Sequence, residues 1–188
     1  MDAFVYLRTA PGKIEDVVIA LRGRHGIRHS VAVVGLWDVM VALEAADFEF
    51  IARTVLRRIQ SIDGVIQTYT APVVPLDVLG IYAGGPGMPS TPMHREGPAC
   101  FVHIRTIAGA VAGVVQALAK LEEVSGLAVV AGDHDVLAEV PFAWEQAAPV
   151  ILGEIQTIPG VQTTTTLVGI PELGEDADED RDQFSAWD

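Results

Sequence analysis

Apolar and polar positions alternate with a period of two over residues 3–9, with Phe4 and Tyr6 on one side and Val5 and Leu7 on the other. That period predicts a strand. Pro11-Gly12 ends it. Ile14, Val17, Val18 and Leu21 then fall at the spacing of one helical face, and Gly23 and Gly26 close that helix. Val31 to Val34 predict a second strand, Gly35-Leu36-Trp37-Asp38 a turn, and Val39, Val41 and Leu43 a third strand with Met40 and Ala42 on its other side. Phe48, Ile51, Ala52, Val55, Leu56 and Ile59 outline the apolar face of a second helix, with Asp47 as its N-cap. Asp63-Gly64 stops it, and Val65 to Val74 read as a last strand.

The same pattern runs a second time. Phe4-Val5-Tyr6-Leu7-Arg8-Thr9 returns 97 residues later as Phe101-Val102-His103-Ile104-Arg105-Thr106, and Gly35-Leu36-Trp37-Asp38 returns as Gly132-Asp133-His134-Asp135. Ile59-Gln60-Ser61-Ile62 returns as Ile155-Gln156-Thr157-Ile158, now 96 residues on. A common register across separate blocks marks an internal duplication. Val111, Val114, Val115 and Leu118 line the first helix of the second copy, and Trp144, Ala148, Ile151, Leu152 and Ile155 its second. The order strand, helix, strand, strand, helix, strand predicts an α+β fold of two tandem ferredoxin-like βαββαβ domains with antiparallel sheets. The boundaries are residues 1–83 for the first domain, 84–98 for a Gly/Pro-rich linker, 99–171 for the second domain and 172–188 for an acidic tail. Two helices cover only one face of each sheet. The other face, with Tyr6, Trp37, Met40 and Tyr69 as contributors, is expected to associate, either with the other copy or with a second chain.

Charge narrows the partners. The chain has 188 residues with 12 basic and 25 acidic side chains, which disfavours binding to a phosphate backbone. Eight of the acids lie between Glu172 and Asp188, against Arg181 alone. This density opposes collapse, although Phe184 and Trp187 give the tail's end the look of a short docking peptide. Cys100 is the single cysteine, so no intrachain disulfide forms. The N-terminus lacks the pattern of a signal peptide, and no apolar run reaches the length of a membrane-spanning helix. A cytoplasmic location follows as the expectation.

The strand ending in Arg-Thr, the Pro-Gly before the first helix, the Gly-Leu-Trp-Asp-Val turn and the Ile-Gln-Ser-Ile-Asp-Gly-Val segment together resemble the effector-binding domain of the Lrp/AsnC regulators, also called the RAM domain, a relative of the ACT domain. The resemblance covers residues 3–74 and 99–170. It implies oligomers built through the sheets, and amino acids held between subunits near the turn joining the second and third strands. The positions it points to are Gly35, Trp37 and Asp38 in the first copy and Gly132, His134 and Asp135 in the second. Regulators of this kind carry a helix-turn-helix domain ahead of the effector domain. This chain opens on the first strand, so no direct DNA binding is expected.

Asp38 and Asp135 read either as partners for a ligand's ammonium group or as turn residues bonded to their own loops. Trp37 reads as interface packing or as a stacking surface. His103 and His134 could in principle meet across strands, but two histidines are too few for a firm metal site. No catalytic residue, metal or cofactor is assigned. The leading expectation is a non-enzymatic module that senses an amino acid or related metabolite, forms homo-oligomers through its sheet faces and influences transcription through a partner regulator, away from membranes. A structural self-assembly module is the alternative. An enzyme of the dimeric α/β-barrel kind, which shares the same unit, stands third.

Overall fold

The computed structural model describes residues 2–81, 92, 97–170 and 173. Most of the expected linker and nearly all of the acidic tail lie outside the described residues. The first copy contains β1 (Asp2–Thr9), α1 (Ile14–Leu21), β2 (Ile27–Val34), β3 (Val39–Glu44), α2 (Phe48–Thr54) and β4 (Val65–Val74). The second contains β5 (Cys100–Thr106), α3 (Val111–Leu118), β6 (Gly126–Val130), β7 (Val136–Val140), α4 (Trp144–Gly153) and β8 (Val161–Ile170). Both copies are βαββαβ units, as the pattern predicts.

Within each copy the strands lie in the orders β4-β1-β3-β2 and β8-β5-β7-β6, and the two sheets join edge to edge into a closed barrel. The seams are short. β2 meets β8 through Ala32↔Ile170, Val33↔Gly169 and Val34↔Val168. β4 meets β6 through Val73↔Val130 and Val74↔Val129, extended by a bond from the Ala131 amide to the Pro72 carbonyl. Closure removes the free edges that an isolated four-stranded sheet would expose.

Alternation along each strand divides its residues between two environments. Ala3, Val5 and Leu7 pack outward against α1 and α2, while Phe4 and Tyr6 point into the barrel. Val102 and Ile104 pack against α3 and α4, while Phe101 points inward. The chain therefore has two helix-on-sheet cores and a third inside the barrel, which contains Phe4, Tyr6, Trp37, Met40, Phe101, Leu137 and Leu167. The open sheet faces expected from the sequence thus cover each other within one chain. Of the two alternatives for those faces, covering by the other copy is the one seen in this chain.

The helices bury a narrower stripe than the sequence predicts. Ile51, Val55 and Ile59 are buried, as are Ala147, Ile151 and Ile155, whereas Phe48, Leu56, Trp144 and Leu152 are exposed. After Thr54 the second helix widens into a π-type turn over Val55–Ile59, which carries Leu56 off the core side. Asp47 caps α2 as expected, its Oδ1 accepting from the Phe50 amide at 2.8 Å.

Candidate functional site

The duplicated turns come together at one mouth of the barrel. The turn after β2 lies on the last strand of the second copy. A side chain at Gly35, where φ is +146°, would come within 2.8 Å of Leu167 Cδ2 and 3.1 Å of the Thr166 carbonyl. The turn after β6 lies on the last strand of the first copy, and a Cβ at Gly132 would overlap the Tyr69 hydroxyl. Close approach accounts for both glycines, and the positive φ adds a second reason at Gly35.

Asp38 and Asp135 have matching roles. Asp38 Oδ2 accepts from the Thr9 amide at 2.7 Å and from Thr9 Oγ1 at 3.4 Å. Asp135 Oδ2 accepts from the Thr106 amide at 2.7 Å and from Thr106 Oγ1 at 3.0 Å. Each carboxylate thus ties its turn to the end of the first strand of its own copy.

Trp37 and His134 point to the barrel axis instead. A cleft of about 150 Å³ opens between the copies, lined by Leu36, Trp37, Tyr69, His103, Arg105, Asp133, His134, Thr163 and Thr165. That is about the volume that admits a benzene-sized molecule. Of the six turn positions singled out from the sequence, only Trp37 and His134 line it. Gly35, Gly132, Asp38 and Asp135 shape the turns around it.

His103, on β5, and His134 stack face to face, with ring centroids 4.1 Å apart and planes 9° apart. Tyr6 meets both edges-on, at 4.9 Å from His103 and 5.9 Å from His134, and its hydroxyl lies 3.5 Å from His134 Nε2. Tyr69 stacks on Tyr6 and on Trp37, and its hydroxyl accepts from the Asp133 amide. Burial lowers the His103 pKa to about 3, with neighbouring His134 adding to the effect. Burial also lowers His134 to about 4, against an upward pull from Asp133 and Asp135. Both imidazoles are therefore neutral at physiological pH. His103 Nε2 is buried and has no hydrogen-bond partner among the described residues. A buried nitrogen without a partner beside a cleft is costly unless something occupies that cleft.

The site is lopsided about the barrel's pseudo-twofold axis. By the 97- and 96-residue offsets, Tyr6 corresponds to His103, Leu36-Trp37 to Asp133-His134, Arg8 to Arg105 and Tyr69 to Thr165. The first copy fills its half with rings, and Arg8 lies over the Trp37 ring at 5.5 Å. The second copy offers shorter polar groups, and the cleft lies on its side. Arg105 and Asp133, of opposite charge, line this one opening, whereas the first copy has leucine in place of the acid. Tyr6, Tyr69, His103, Arg105, Asp133, Thr163 and Thr165 were not assigned to a site from the sequence. The signal that finds them is the inward alternation of β1, β4, β5 and β8 combined with closure.

Cys100 is fully buried, and burial pushes its thiol up to about 11, which fits a packed side chain rather than a reactive one. Among the described residues no group of three or more His, Cys, Asp or Glu is placed to hold a metal ion. No helix among them is long and apolar enough to cross a membrane.

Comparison with known proteins places this geometry. The family model described as the Lrp/AsnC ligand binding domain matches residues 2–75 and again residues 99–177. No curated protein matches the chain in sequence. Among solved structures, the siroheme decarboxylase NirDL in co-complex with an iron-uroporphyrin III analogue is similar over 100% of this chain and 80% of its own, at 12% identity and a TM-score of 0.65. Chlorite dismutase from Candidatus Nitrospira defluvii, in complex with imidazole, is similar over 98% of this chain and 94% of its own, at 16% identity and a TM-score of 0.53. AsnC of E. coli is similar over 50% of this chain and 64% of its own, at 22% identity and a TM-score of 0.37. The first two are enzymes on the same closed fold, and the likeness is one of fold. It overturns the expectation that the chain is no enzyme, which had put the α/β-barrel enzyme sharing this unit third.

Proposed function

Since the chain belongs to the Lrp/AsnC ligand-binding domain family, we propose that it binds a small zwitterion, an amino acid or a close relative, in the cleft at the barrel mouth. The observation that carries this reading is one opening lined by Arg105, Asp133 and the unpartnered Nε2 of His103. A guanidinium matches a carboxylate in charge and fork geometry, Asp133 matches an ammonium group, and the buried imidazole supplies one more polar contact. The volume suits a small side chain. Modulation of a partner regulator, expected from the sequence, follows as the biological use of such binding.

The test is a thermal-shift screen of the full chain with the twenty amino acids, repeated on Arg105→Ala and Asp133→Ala. Binding stabilises the folded state by mass action. The reading expects a subset of small amino acids to raise the melting temperature of the wild type, and both variants to lose the rise. A rise retained in both variants would move the ligand elsewhere.

A second reading is favoured by the continuous contact of Tyr6, His134 and His103. Neutral imidazoles and a phenol can each donate a hydrogen bond to a bound acid. The whole-chain likeness to a siroheme decarboxylase suggests a carboxylate substrate, of which one acidic arm fits the cleft and a whole macrocycle does not. Carbon dioxide release from carboxylated porphyrins, lost in His103→Gln, is the measurement for it.

A further inference from the structure

A second groove lies beside the β2–β8 seam, away from the barrel mouth. It has a volume of about 170 Å³ and is lined by residues including Val18, Arg22, Arg28, His29, Ser30 and Leu173. Its origin is the short seam between β2 and β8. β8 ends at Ile170 and pairs with β2 only from Ala32 to Val34. Residues 27–31 of β2 therefore have β3 on one side and no strand on the other among the described residues.

The equivalent place on the second copy is filled. After β4 the chain makes a 3-10 turn over Leu76–Leu79, and Leu76, Leu79 and Ile81 pack onto the second copy's core. Following the 96-residue offset, the positions corresponding to Leu76, Leu79 and Ile81 are Glu172, Glu175 and Ala177. The apolar cover has been replaced by acid. The walls have changed in the complementary sense. Arg22, Arg28 and His29 correspond to Ala119, Ser125 and Gly126, while Gly23 corresponds to Lys120, so three nitrogen-bearing side chains of the groove stand against one at the matching positions of the second copy. Arg28 already meets Glu44 at 2.9 Å and Asp2 at 3.7 Å. Leu173 packs against the first copy's core, which starts the tail at the groove.

We propose that the acidic segment Glu172–Asp182 seats in this groove, held by charge where its counterpart after β4 is held by apolar packing. Paired changes of opposite chemistry, acid on the segment and base on the wall, carry the inference. It differs from the solvated tail expected from charge density alone, because that expectation leaves out the basic wall.

Disulfide trapping in the full chain tests it. Ser30→Cys with Glu175→Cys places one thiol on the groove and one on the segment. Thr157→Cys with Glu175→Cys is the control, since Thr157 precedes β8 and Ile170 ends that strand, whose length is about 30 Å. Cys100 is buried and stays out of the exchange. In a glutathione buffer the groove pair is expected to close within one chain about tenfold faster than the control, a preference of about 1.4 kcal/mol. Salt near 1 M, which shrinks the Debye length to about 3 Å, and Arg22→Glu should each bring the rate down towards the control. Equal rates for the two pairs overturn the proposal. So does a disulfide formed mainly between two chains, which assigns the groove to a second copy. A fast closure indifferent to salt and to Arg22→Glu also overturns it, since charge would not be the holding force.

Discussion

Acid should unfold this protein through two histidines. His103 and His134 are 7% and 5% exposed, and their folded-state pKa values fall to about 3 and about 4 because of burial. An unfolded chain titrates histidine near pH 6.5. Below that value the unfolded state takes up protons that the folded state refuses, so stability is complete above about pH 6.5 and is lost as pH falls towards the folded pKa values. From pH 6.5 to 4.5 each imidazole removes about 2 kcal/mol, and the pair about 4.5 kcal/mol, from a limiting slope of roughly 1.36 kcal/mol per pH unit. That is a large part of a typical domain's stability. The assay is urea denaturation across this range on the wild type, on His103→Phe and His134→Phe, and on the double variant. The acidic excess acts in the opposite direction, since protonating carboxylates relieves repulsion, so the informative quantity is the difference between wild type and variant at each pH. The stability of each variant relative to wild type should rise as pH falls, each single variant accounting for about half of the rise in the double variant. Parallel curves would mean that protons reach the pair without cost, and the neutral stacked arrangement would be refuted.

Gly132→Ala should lower stability by about 1–3 kcal/mol, because the new methyl overlaps the Tyr69 hydroxyl; thermal denaturation measures it, and Tyr69→Phe should recover part of the loss. Asp38→Ala and Asp135→Ala should each cost about 1–3 kcal/mol by leaving a strand-end amide unpaired, while ligand-induced thermal shifts survive. Cys100 should react with a thiol reagent at mildly alkaline pH only as fast as the protein opens, since burial holds its thiol near 11; rapid labelling of the folded chain would contradict this.

The duplication was legible because buried positions recur in register, and the inward side was legible in Tyr6, Met40, Trp37 and Tyr69, which alternation separates from Val5 and Val41. Closure was not. It rests on a few paired residues, Ala32–Val34 with 168–170 and Val73–Val74 with Val129–Val130, and such seams leave no local pattern. Without closure the two turns read as two sites, and Asp38 and Asp135 as ligand partners, since an aspartate after a turn glycine has the same sequence whether it bonds to a ligand or to Thr9 and Thr106. The His103–His134 contact joins a strand to a turn 31 residues away, and its importance follows from the axis on which both fall. The exposed Phe48, Leu56, Trp144 and Leu152 show the limit of helical periodicity. The pattern counted every apolar residue near the face, while burial follows the 51-55-59 and 147-151-155 rows with Thr54 and Val150 beside them.

The most direct test of a single shared site is nitrogen-15 NMR of the histidine side chains in the full chain, titrated with whichever amino acid raises the melting temperature. The account predicts that the His103 Nε2 resonance moves with ligand, saturates at one ligand per chain and is unmoved in Arg105→Ala. Saturation at two equal ligands per chain, or binding that leaves His103 and His134 unshifted, would contradict it.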